Sequence, residues 1–237
     1  MVETEDVRYF DGDEALTGLL AWDRAQSHQR PGILVLHGGA GLDAHAKNRA
    51  RRFADAGFIV FAADMYGASV AGNRDRIVEH IGELRRNRGA LSRRAQAAIA
   101  RLRSHPDVDG RIAAIGYCLG GMIALELARD GVDLAGVVSV HGSLETAMRS
   151  EAGVVKARIL VCHGSLDPHG PPAHVLAFVD EMNRAGADFQ LILYGGAMHG
   201  FTHETAIQPL NGVAYNPTAD ARSSKAIGMF LDEIFAS

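Results

Sequence analysis

One cysteine, one aspartate and one histidine stand out in this chain, each in a turn just after a predicted strand. Cys118 lies in Gly116-Tyr117-Cys118-Leu119-Gly120-Gly121. The apolar run 111–115 before it reads as a strand, and residues 122–128 after it form helices well. Strand, tight Gly-x-Cys-x-Gly turn and helix together are the setting of a nucleophile elbow. Gly116 and Gly120 flank the cysteine two residues away on either side. They remove Cβ atoms that would collide in so sharp a turn. Glycine-rich turns also serve as plain connectors, and a free cysteine often packs as a small hydrophobe. The elbow therefore acquires chemical meaning only if the chain also supplies a base, an acid and an oxyanion hole.

Ligands meet a parallel sheet at the carboxyl ends of its strands. Asp167 follows the strand predicted over 158–162, in the turn Gly164-Ser165-Leu166-Asp167-Pro168. His199 follows the strand predicted over 189–194, in Gly195-Gly196-Ala197-Met198-His199-Gly200-Phe201. A thiol with a free pKa of about 8.5 is mostly protonated at neutral pH and needs a base or a cation beside it. Imidazole can take that proton and return it to a leaving group. A carboxylate fixes the imidazole tautomer and stabilises its cation. Cys118 also begins a helix, whose N-terminal dipole favours a thiolate. The oxyanion hole needs two backbone N–H groups: that of Leu119, and one from Gly38 or Gly39 in the loop 37–42. Of these we assign Gly39.

The elements that must position these groups alternate. Strands are expected over 7–10 and 16–22, joined by a turn at Asp11-Gly12-Asp13, then over 32–36, 58–64, 111–115, 135–140, 158–162 and 189–194. Helices are expected over 44–56, 73–104 with a break near Gly89, 118–129, 172–185 and 219–235. Gly57 and Gly186 stop two of them. This alternation is that of a mostly parallel sheet with helices on both faces, in a single α/β domain over 1–237. Residues 65–72 read as loop. The stretch between His141 and Arg158 is too short for a large lid.

The totals exclude several functions. The net charge is -4, with 47% hydrophobic and 22% charged residues. No basic field invites nucleic acid, and the arginines between Arg74 and Arg103 mix with Glu79, Glu83 and alanines as a solvated helical face would. No run approaches the ~20 apolar residues of a membrane span. Cys118 and Cys162 are too few for a disulfide framework, which points to a reducing compartment and hence the cytoplasm. Cys162 reads as an inert strand residue. Among the 11 histidines, His37, His141 and His163 fall at strand ends and read as scaffold. Asp43 and Asp64 read as cap or turn residues. No zinc-binding spacing occurs.

These residues carry a resemblance. The elbow around Cys118, His163-Gly164-x-x-Asp167, the run Gly195 through Phe201 and Ala62-Ala63-Asp64-Met65-Tyr66-Gly67 resemble the dienelactone hydrolase family of α/β-hydrolases over essentially the whole chain. The resemblance implies a Cys118-Asp167-His199 triad, no metal or organic cofactor, and hydrolysis of lactones or small esters through an acyl-enzyme. It also points to Gly38, Tyr117, Phe201 and His203 as substrate-side positions. Two positions depart from the family pattern. Gly38 stands where members commonly carry a glutamate that handles the resting thiol's proton, and His203 stands where the archetype has a substrate-binding arginine. Direct activation of Cys118 by His199, and a different ester or lactone, are the corresponding expectations. The expected partner is that small molecule, with the protein a monomer or small homo-oligomer. A thioesterase or acyltransferase on the same triad, and a non-catalytic ligand or redox sensor, remain as alternatives.

Overall fold

The computed structural model describes residues 1–67, 88–146 and 148–236. The chain falls into two compact units, Met1–Ile115 and Gly116–Ser237. The first begins with a hairpin, β1 (Val2–Asp11) and β2 (Glu14–Asp23), in the register Val2↔Asp23 to Asp11↔Glu14. β1 runs longer than the apolar signal, because its mostly polar first five residues pair with Leu19–Asp23, and β2 gains Glu14, Ala15 and Asp23 at its ends. On β1, Val7 and Tyr9 are buried while Asp6, Arg8 and Phe10 are exposed. That period of two marks a half-solvated antiparallel strand. β2 pairs antiparallel with β4 (Ile59–Ala63), and β4 pairs parallel with β3 (Arg30–Leu36). All five residues of β4 are buried. Burying side chains such as Ile59 and Phe61 is worth about 1.5–3 kcal/mol each.

Two helices pack on these strands: α1 (Ala44–Asp55) and α2 (Arg88–Arg103). Asp43 caps α1, accepting from the Ala46 N–H at 3.0 Å, and Gly57 follows its end at φ 104°. Asp64 shapes the turn after β4 by accepting from the N–H groups of Tyr66 at 2.9 Å and Gly67 at 3.2 Å. The loop and helix expected over 68–87 lie outside the described residues. Within α2, Arg94 is buried, which departs from the expected solvated face. It donates to Asp11 at 3.2 Å, to the Met65 carbonyl at 3.0 Å and to Glu14. The β1–β2 turn supplies two carboxylates, so the guanidinium is paired as it is buried.

β5 (Val108–Tyr117) runs into the second unit. There β6 (Gly136–Val140), β7 (Arg158–Gly164) and β8 (Phe189–Tyr194) pair parallel, in the registers Val140↔Cys162 and Cys162↔Ile192. β7 extends past the apolar run 158–162 to include His163 and Gly164. α3 (Leu119–Arg129) packs on β6, and α5 (Pro217–Phe235) on β6 and β7. Asn216 caps α5 by accepting from the Ala219 N–H at 3.0 Å. α4 (Pro172–Ala185) ends at Gly186 with φ 68°. A buried ionic knot fixes α3 to α4: Arg129 donates to Glu181 at 3.0 and 2.9 Å, to Glu126 at 2.8 Å and to the Leu144 carbonyl at 3.0 Å. Removing one member of such a buried set costs about 3–5 kcal/mol, because its partner charge is left in a dry site. One small element had no periodic signal. Two-residue strands β9 (Ile207–Gln208) and β10 (Val213–Ala214) pair antiparallel around a turn at Pro209–Asn211.

Candidate active site

Cys118 sits between the end of β5 and the start of α3, with φ 54° and ψ -113°. Few non-glycine residues adopt such a conformation, and the cost is of order 1–3 kcal/mol. The surroundings enforce it. The Cys118 N–H donates to the Val140 carbonyl at 3.0 Å, and its carbonyl accepts from the Met122 N–H at 3.2 Å. The turn is so tight that a Cβ on Gly116 would lie 1.9 Å from the Gly120 carbonyl oxygen. Leu119 opens α3, where an N–H has no carbonyl one turn back to bond.

Asp167 and His199 come from two loops tied to each other. Leu166 donates its N–H to the Ala197 carbonyl at 2.9 Å, and the Gly196 N–H donates to Ser165 Oγ at 2.9 Å. The β9–β10 segment braces both. The His199 N–H donates to the Gly212 carbonyl at 2.9 Å, and a Cβ on Gly212 would meet the Pro168 ring at 2.3 Å. His199 Nδ1 donates to Asp167 Oδ2 at 2.9 Å, while Nε2 lies 3.0 Å from Cys118 Sγ. The other Asp167 oxygen accepts the His169 N–H at 2.8 Å. The His169 ring stands edge-on to the His199 ring, with centroids 4.7 Å apart.

The electrostatics follow from these contacts. Burial alone would pull the His199 pKa down, but its hydrogen bonds to Asp167 and Cys118 and the charges of both lift it to about 10. Burial likewise works against an ionised Asp167. The hydrogen bond and charge of His199 outweigh it and hold the carboxyl below its usual range. The arrangement favours the protonated imidazole between Asp167 and Cys118, titrating as a coupled set. It can deliver a sulfur nucleophile, a proton donor facing it and a fixed tautomer.

The sequence model of the dienelactone hydrolase family matches residues 16–235. The chain belongs to that family. It is a hydrolase with the α/β-hydrolase fold. Two solved structures each align over 99% of both chains. One, m3DLH, is 37% identical with a TM-score of 0.93. The other, a dienelactone hydrolase-like promiscuous phosphotriesterase from metagenomic libraries, is 40% identical with a TM-score of 0.94. An uncharacterized protein of Caenorhabditis elegans is 39% identical over 152 residues, 62% of this chain and 96% of that protein.

In this family member, the remaining positions singled out by sequence fall as follows. Tyr117 and Phe201 are buried, so they offer ring packing rather than open surface. The Phe201 ring stands 5.1 Å from that of His141, and the Tyr117 ring 6.2 Å. His203 is half-buried, its ring 5.8 Å from His141. In the Met1–Ile115 unit, the loop after β3 is pinned by His37. Met65 donates its N–H to His37 Nε2 at 3.0 Å, and Nδ1 donates to the Gly38 carbonyl at 2.7 Å. Burial pulls the His37 pKa down against the opposing pull of Gly38 and Asp64, so this imidazole is neutral. The Tyr66 hydroxyl donates to the Gly39 carbonyl at 3.1 Å. His163 closes the acid loop through a 2.8 Å bond between Nε2 and the Gly170 carbonyl. Among the described residues, no helix is long and apolar enough to cross a membrane, and no three His, Cys, Asp or Glu side chains are grouped to hold a metal. Sequence reasoning took His141 only as scaffold and assigned nothing to β9–β10. The two-residue strands of the β9–β10 segment are too short to show a period.

Proposed function

We propose that this chain hydrolyses lactones or small carboxylic esters through a thioester on Cys118. The observation that carries the reading is the continuous line from Sγ to Nε2 at 3.0 Å and from Nδ1 to Asp167 at 2.9 Å. The thiolate attacks the carbonyl carbon, forming an S–C bond and an oxyanion. The Leu119 N–H receives that oxyanion, and we assign the second donor to Gly39. As the tetrahedral species collapses, the C–O bond breaks and the alkoxide takes the proton from His199 Nε2. Neutral His199 then removes a proton from water, and the resulting hydroxide attacks the thioester. The S–C bond breaks, releasing the acid and restoring the thiolate–imidazolium pair. Asp167 stays ionised throughout. With Gly38 in the family's glutamate position, His199 itself keeps Cys118 ionised. Two cysteines that form no disulfide suit a reducing compartment, and we place the enzyme in the cytoplasm as a single domain.

The test is turnover of a p-nitrophenyl ester and of an aryl lactone by the wild-type protein and by Cys118→Ala. We expect hydrolysis by the wild type, an acyl-enzyme on Cys118 detectable by mass spectrometry, and loss of both in the variant. Turnover that survives in Cys118→Ala would overturn the reading. A second substrate class has specific support, since a neighbour 40% identical over 99% of both chains is described as a promiscuous phosphotriesterase. In that reading the thiolate attacks phosphorus and an aryl phosphotriester replaces the ester. Release of aryl alcohol that depends on Cys118 would establish it.

A further inference from the structure

Apart from Cys118, His141 is the one non-glycine residue at positive φ among the described residues, with φ 42°. Strained backbone persists where its surroundings over-determine it, and it clusters at functional sites. His141 is fully buried directly after β6, and its N–H donates to the Cys162 carbonyl at 2.9 Å. The preceding residue, Val140, receives the N–H of Cys118. The side chain turns toward the base. Its Nε2 and the Thr202 Oγ1 share a 2.9 Å hydrogen bond, and Thr202 is itself buried three residues after His199. The two imidazoles stand edge-to-face, His141 on His199, with centroids 5.3 Å apart. One residue therefore bonds the base's loop through its side chain and adjoins the nucleophile's amide through the backbone.

We infer that His141 is a positioning residue that sets the Cys118–His199 alignment through Thr202. His199 must aim Nδ1 at Asp167 and Nε2 at sulfur together, which fixes its ring rotation. The edge-to-face contact blocks that rotation, and the Thr202 bond fixes the loop that carries it. Near-attack geometry is sensitive, because a displacement of about 1 Å can cost roughly 100-fold in rate. The inference rests on the triad reading above.

Thr202→Val keeps the shape and removes the bond, whereas Thr202→Ser keeps the bond. Two readouts are needed: kcat and KM with a p-nitrophenyl ester, and the rate of Cys118 alkylation by iodoacetamide against pH. We expect Thr202→Val to lower kcat about tenfold or more with KM little changed. The alkylation midpoint should rise toward the free-thiol value of about 8.5. Thr202→Ser should recover both. If Thr202→Val does not fold, Thr202→Ala removes the same bond and is held to the same outcomes. Wild-type kcat and an unshifted alkylation midpoint in Thr202→Val would overturn the inference, as would a Thr202→Ser variant as impaired as Thr202→Val. Failure of the wild type on every ester would instead count against the proposed reaction, while the alkylation midpoint still judges the role of His141.

Discussion

The second unit holds two thiols close along the sheet, and the fold treats them in opposite ways. Cys162 lies inside β7, fully buried, and its Sγ accepts the Tyr194 hydroxyl at 3.6 Å. Burial pushes its pKa up to about 12 although the Tyr194 bond works against the shift. Cys118 lies just past the end of β5, partly exposed, with His199 Nε2 3.0 Å away. The side chain is the same, yet one is packed inside a strand and the other faces an imidazole at the start of a helix. Reactivity is set by the charge and water around the sulfur, not by the residue type. The histidines repeat the contrast. Burial between a backbone N–H and a carbonyl pulls the His37 pKa down, whereas hydrogen bonds to Asp167 and Cys118 raise that of His199 despite its burial.

The sharpest way to break this comparison is to remove each sulfur in turn. Cys118→Ala should lower ester turnover by about 10⁴-fold or more, as loss of a nucleophile does elsewhere, whereas Cys162→Ala should keep near-wild-type kcat. Asp167→Asn should come next, with kcat down about 10³–10⁴-fold, since the imidazole loses its fixed tautomer; steady-state kinetics with the same ester measures both. Iodoacetamide at pH 6.5 sharpens the contrast without a substrate. Peptide mass spectrometry should find Cys118 modified and Cys162 untouched until denaturant is added. Modification of Cys162 in the native protein would undo the comparison.

The pH dependence of stability is a smaller effect. His199 has a raised pKa in the folded protein, so its contribution is fully present below the unfolded value of about 6.5. It is lost as pH rises through about 10. Asp167 is depressed, so its contribution is present above about 3.9 and is lost as pH falls through its lower folded value. Urea unfolding of the wild type should show both limbs. Cys118→Ala removes one of the partners that raise His199, so its alkaline limb should move to lower pH, while Cys162→Ala should leave that limb in place. The smallest effect is on the packing thiol itself. Cys162→Ala should cost about 1–2 kcal/mol, from a small cavity and the stranded Tyr194 hydroxyl.

Much of this was legible because it is local. Gly116 and the elbow, the Asp43 cap, the Gly186 stop and the apolar β4 all reflect sterics and hydrogen bonds within a few residues. Arg94 was not legible as a buried tie, because the partner carboxylates Asp11 and Glu14 lie some eighty residues away in sequence. The β9–β10 brace escaped notice because it buries no apolar face of its own and works through backbone bonds to His199.

By itself the sequence determined a strand–turn–helix elbow at Cys118, with a carboxylate and an imidazole in turns after later strands. Chain order carries that much, because a parallel sheet brings successive strand ends to one side. Only the tertiary structure decided that Sγ, Nε2 and Asp167 Oδ2 form one hydrogen-bonded line, that the His199 pKa is raised while that of His37 is lowered, and that His141 bonds Thr202 in the loop of His199. Those outcomes depend on distances of a few tenths of an ångström and on which charges are kept from water. Packing between distant segments sets both.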